Sequence, residues 1–106
     1  MSASADRPPI ACALDAGSLA ERIAEWRALT AASVHAIDAD ATSVRLVLDD
    51  SDAALAAAVS LGQREKRCCP FFEVGVELGP ESRSLCLRVP PDAADALAAF
   101  VEMLRE

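Results

Sequence analysis

Residues 83–89 place Leu85, Leu87 and Val89 at every second position, with Ser84, Cys86 and Arg88 between them. A period of two marks a strand with one face on a core and the other in water. The pattern returns at 42–48, where Val44, Leu46 and Leu48 oppose Ser43, Arg45 and Asp49, with Val47 breaking the second set. It returns again at 71–78, where Phe72, Val74, Val76 and Leu78 oppose Phe71, Glu73, Gly75 and Glu77. A shorter strand is expected at 33–37. Two linkers, Asp38-Ala39-Asp40-Ala41 and Gly79-Pro80-Glu81-Ser82, join these strands into hairpins, although the first lacks the glycine that tight turns favour. Alternating hairpins need a cover on one face only.

Helical signals supply that cover. Ser18-Leu19-Ala20-Glu21 reads as a capping box, with Leu19, Ile23, Trp26 and Thr30 following on one stripe, which predicts a helix over 18–30. Asp50-Ser51-Asp52 caps a second helix over 52–69, whose stripe runs through Leu55, Ala58, Val59 and Gly62 to Cys69. Pro90-Pro91-Asp92 opens a third, carrying Ala93, Leu97, Phe100, Val101 and Leu104 on one face. The order α-β-β-α-β-β-α defines an α+β domain with one four-stranded, mainly antiparallel sheet covered by helices. It has the form of a helix-hairpin unit used twice, without visible sequence repetition. The 106 residues suffice for one domain, read as 12–106 behind a flexible arm at 1–11.

Ten basic residues against 17 acidic ones give a net charge of −7, which repels phosphate backbones and anionic headgroups. Binding to nucleic acid or to membranes by this chain alone is therefore not expected. The first ten residues lack a basic and then apolar leader, and a cytoplasmic, reducing location is expected. Four cysteines in that setting point to metal or redox chemistry, or to burial, rather than to a disulfide framework.

Pro70 cannot continue a helix, so the second helix must end at Cys68-Cys69. Glu65, Cys68 and Cys69 stand at i, i+3 and i+4 and share a face. A disulfide between the neighbours would be badly strained. A helix C-terminus, the negative end of the dipole, suits a metal ligand better than a nucleophile, although Arg64, Lys66 and Arg67 oppose that field. Cys12 is the third candidate sulfur. Glu65 is expected either beside the sulfurs or in an ordinary surface ion pair. Cys86, on the far side of its strand from Leu85 and Leu87, ranks below the other cysteines, and His35 reads as a surface or sheet residue. Trp26, Phe72 and Phe100 read as core. Cys-x-x-Cys, phosphate-loop, His-Glu-x-x-His and Gly-x-Ser-x-Gly motifs are missing from the sequence.

Ile10-Ala11-Cys12-x-Leu14, Leu19-x-x-Arg22-x-x-x-Trp26, Arg64-Glu65-x-x-Cys68-Cys69-Pro70-Phe71-Phe72 and Pro90-x-x-Ala93 together resemble a group of small, largely uncharacterised bacterial proteins. Some of these are attached to, or near, regulators of the mercury-responsive (MerR) type. The resemblance implies Cys12, Cys68 and Cys69 as thiolate ligands for a soft ion such as Hg(II), Cu(I) or As(III), and association with such a regulator. The expected function is a scavenger, sensor or carrier of that ion. Two other readings stay open. One is a thiol-dependent enzyme, redox or cleaving a carbon–metal bond, with Glu65 moving the proton. The other is an interaction module or homodimer, formed through an edge strand or the outer face of Phe71, in which the cysteines only pack.

Overall fold

The computed structural model describes residues 16–106. The elements are α1 (Ala16–Ser33), β1 (Val34–Ala39), β2 (Ser43–Leu48), α2 (Asp52–Cys68), β3 (Glu73–Leu78), β4 (Arg83–Arg88) and α3 (Ala94–Arg105). A single 3-10 turn, Pro91–Ala93, leads into α3. The element order is the expected one. All strand pairings are antiparallel and the sheet order is β1-β2-β4-β3. This order is symmetrical about the β2–β4 boundary, as use of a helix-hairpin unit twice would produce.

The alternation in β2 and β4 becomes the core face. Val44 pairs with Leu87 and Leu46 with Leu85, and these four, with Leu48, are at most 1% exposed. From α3, Leu97, Phe100, Val101 and Leu104 close over them. Aromatic rings then link three elements. Trp26 of α1 meets Phe100 edge-on with centroids 5.1 Å apart, and Phe72, just before β3, lies 5.9 Å from Phe100. Truncating a buried ring of this kind costs about 3–5 kcal/mol.

The β1–β2 turn works without glycine because an aspartate side chain does the bonding. Asp40 Oδ1 accepts from the backbone N–H of Thr42 at 3.0 Å and of Ser43 at 2.9 Å, and from the Ser43 hydroxyl. The Thr42 and Ser43 donors hold the Asp40 carboxyl below its ordinary value. Gly62 is needed for a different reason. A Cβ there would stand 3.0 Å from Val74 Cγ1, so α2 can approach the sheet this closely only where a side chain is missing.

Three expectations change. Ser18 lies inside α1 rather than at its cap. Val59 leaves the buried stripe of α2 at 41% exposure, while Leu61 and Glu65 join it. Val76 and Leu78 alternate as expected but are 41% and 68% exposed. They lie on β3, an edge strand whose far end extends beyond the cover that three helices can give. The proposed arm at 1–11, and Cys12, lie outside the described residues. Within those residues, no helix is long and apolar enough to cross a membrane.

Candidate functional site

Helices α1 and α2 run antiparallel. Near the start of α1, Arg22 faces Glu65 near the end of α2, and Glu25 takes Arg64 at 2.9 Å. Ser51 Oγ accepts from the Ala54 N–H to start α2. At the other end Cys69 is the C-cap, in extended geometry, with its N–H bonded to the Glu65 carbonyl at 2.8 Å. The chain then turns through Pro70, and the Phe72 N–H closes on the Cys69 carbonyl at 3.0 Å. The helix thus stops at the cysteine pair, for the reason Pro70 gave.

The centre of the site is a carboxylate, not a sulfur. Glu65 is wholly buried. Its Oε2 accepts from Arg22 Nη1 at 3.0 Å and from the Trp26 indole N–H at 2.9 Å. Its Oε1, also buried, has no hydrogen-bond partner among the described residues. A buried acceptor left in that state costs about 1–3 kcal/mol, so such atoms often mark a functional position. Both donors crowd onto one oxygen and leave the other without a donor among the described residues.

Arg22 links this carboxylate to the thiol. While Nη1 holds Glu65, Nη2 lies 4.0 Å from Cys68 Sγ, at the outer limit of a hydrogen bond to sulfur. Its side chain is 10% exposed, which ranks the pair with buried rather than surface ion pairs. Burial acts to lower the Arg22 pKa, but the hydrogen bond and charge of Glu65 prevail and raise it. For Glu65, burial raises the pKa, and the Trp26 and Arg22 hydrogen bonds only partly offset it.

The two sulfurs have different settings. Cys68 is half-buried at the rim of the core, whereas Cys69 is fully buried within it, in the cluster that also holds Phe72. Among the described residues, no group of three or more His, Cys, Asp or Glu side chains is placed to hold a metal ion. The expected three-sulfur set includes Cys12, so it cannot be complete within them. Cys86 pairs across the sheet with Arg45 and Gly75 on the face away from the helices, far from this site in the fold. His35 is on the surface, beside Asp49. A concavity of about 420 Å³ between α1 and α2 is lined mainly by alanine and serine, including Ala28, Ala32, Ala57 and Ser60. It carries none of this chemistry.

Helical spacing puts Glu65 on the face of the cysteine pair without naming its partner, and the apolar stripe presents Trp26 as core alone. The signal was present. Arg22 interrupts an apolar stripe, one turn from Trp26, at a position where a charge needs a buried partner. No protein-family model, no characterised protein and no solved structure matches the chain.

The raised Glu65 pKa has a consequence for stability. The folded state holds the Glu65 proton more tightly than the unfolded chain. The contribution is therefore full below the ordinary value of 4.5 and is lost as pH rises through the raised folded value. Denaturant unfolding of wild type and Glu65→Gln between pH 4 and 8 isolates it, because the remaining carboxylates cancel. The wild-type advantage over Glu65→Gln should shrink as pH rises. An advantage that grows with pH would mean that the Arg22 and Trp26 donors, rather than burial, govern the Glu65 proton.

Proposed function

We propose that the end of α2 is a thiolate site for a soft metal or metalloid ion, formed by Cys68 and Cys69 with Cys12 as third ligand. Glu65 and Arg22 brace it from behind. The observation that carries this reading is the Arg22 bridge, in which one guanidinium fixes a buried carboxylate and reaches the sulfur of a half-buried cysteine at a helix stop. Such bracing is what keeps metal ligands in one orientation.

Chain connectivity supports the third ligand. Because α1 and α2 are antiparallel, the described chain begins, at Ala16, on the same side as the cysteine pair. Ala16 follows Cys12 by four residues, and four residues span at most about 14 Å. Soft sulfur donors select Hg(II), Cu(I) or As(III) over hard cations. The role proposed is scavenging, sensing or carrying that ion, with a MerR-type regulator as the proposed partner for a sensor or carrier. The test is titration of the reduced protein with Hg(II), Cu(I), As(III) and Zn(II), repeated with Cys68→Ser. Unchanged affinity and stoichiometry in the variant would remove this proposal.

A further inference from the structure

The two edges of the sheet are built differently. The β1 edge carries a register shift between Val34 and Ala36, a device that keeps an edge from pairing. The β3 edge has no such shift in its pairing, and no proline or lysine. The exposed large hydrophobic side chains of the described residues are Val76 and Leu78 on β3, and Val59 on the turn of α2 just before Gly62, where α2 crosses Val74.

The backbone of β3 limits what can pair with it. The Gly79 N–H donates to the Ser82 carbonyl at 2.8 Å, which marks 79 and 82 as a hydrogen-bonded pair. Bonded pairs alternate along an antiparallel ladder, so Glu77–Ser84, Gly75–Cys86 and Glu73–Arg88 are the next ones. The N–H and C=O groups of Val74, Val76 and Leu78 are then the ones directed at the free edge. A second β3 strand, antiparallel, must oppose these three residues to its own three.

Three registers keep at least two such pairs. With Gly75 on the twofold axis, Glu73 stands opposite Glu77 of the second copy. With Glu77 on the axis, two glutamates face each other directly. Only with Val76 on the axis does every glutamate face a glycine, Glu77 opposite Gly75 and Glu73 opposite Gly79. That register also makes the most pairs, setting Val74 against Leu78 on the apolar side. Like charges directly opposite are destabilising, so charge and hydrogen bonding select the same register. Within each chain, Arg45 and Arg88 pair with Glu77 and Glu73 at 3.0 and 3.4 Å on the exposed face, where such pairs offset the charge only in part.

We propose that β3 pairs with β3 of a second copy of this chain, antiparallel about Val76, to join two four-stranded sheets into one of eight. The strand is self-complementary in apolar surface and in backbone groups, and this register keeps its like charges from facing one another.

Sedimentation equilibrium on the reduced full chain should give a dimer that tightens with salt, because each chain carries −7. Val76→Lys should weaken it at least about tenfold. A Cβ at Gly75 would meet nothing within 4 Å, so variants at this position should fold. Gly75→Glu sets glutamate against Glu77 twice per dimer and should weaken it about tenfold, whereas Gly75→Lys should tighten it by a similar factor. In the Gly75-centred register position 75 would face itself, and both charged variants would weaken the dimer. A monomer at all concentrations, or a dimer indifferent to Val76→Lys, overturns the proposal. So does a monomer that dimerises only when residues 1–11 are removed, because the edge would then belong to the chain's own arm.

Discussion

Arg22→Ala should destabilise the protein by about 3–5 kcal/mol at neutral pH, more than any surface substitution in the chain. The size follows from what remains. Glu65 is wholly buried, and without Arg22 its charge keeps only the Trp26 N–H as a described donor. The cost should fall as pH is lowered, because protonation removes the charge that lost its partner. Arg22→Met combined with Glu65→Gln should recover at least half of the loss. The amide oxygen can still accept from Trp26, and the methionine stem refills the space. Urea unfolding of the single and double variants at pH 5 and pH 7.5 measures all of this. If Arg22→Ala costs less than about 1 kcal/mol at both pH values, the pair behaves as a surface ion pair and its bracing role is lost.

The second large effect concerns the ion. Cys68→Ser should lower the affinity for Hg(II) or As(III) by at least about a hundredfold, because a hard hydroxyl replaces a soft thiolate. Cys12→Ser, which removes the proposed third ligand, should do the same. Arg22→Met should have a smaller effect, about tenfold, since it removes bracing and leaves the sulfurs in place. Competition against a small dithiol, read by the thiolate-to-metal absorption in the ultraviolet, measures these differences. A Cys68→Ser variant that retains full affinity would leave the cysteine pair as packing.

Much of the fold was legible because it rests on local periodicity. The alternation of Val44, Leu46 and Leu48 with polar neighbours needs no distant information, and neither does the stop that Pro70 imposes on α2. The misreadings arose where tertiary cover decides. Val76 and Leu78 follow the same alternation as Leu85 and Leu87, but they sit on an edge strand, and no short-range signal separates an edge from a centre. Spacing alone puts Val59 on the buried stripe of α2. The stripe is turned so that Leu61 and Glu65 take the inside instead.

The site was legible in part for the same reason. The grouping of Glu65 with Cys68 follows from helical spacing, and α2 holds that relation. What spacing could not supply was the partner 43 residues away in α1. A carboxylate reads as solvated until something places a guanidinium and an indole on it. Arg22 and Trp26 do so from one face of one helix, and together they turn Glu65 from a surface candidate into the most deeply buried charge of the described chain.

The most direct measurement of the central claim is X-ray absorption at the metal edge of the protein loaded with one equivalent of Hg(II) or As(III). Three sulfur neighbours are expected in wild type and two in Cys12→Ser, with Cys86→Ser unchanged. Two or fewer sulfurs in wild type, or loss of a sulfur on replacing Cys86, would contradict a site built from Cys12, Cys68 and Cys69.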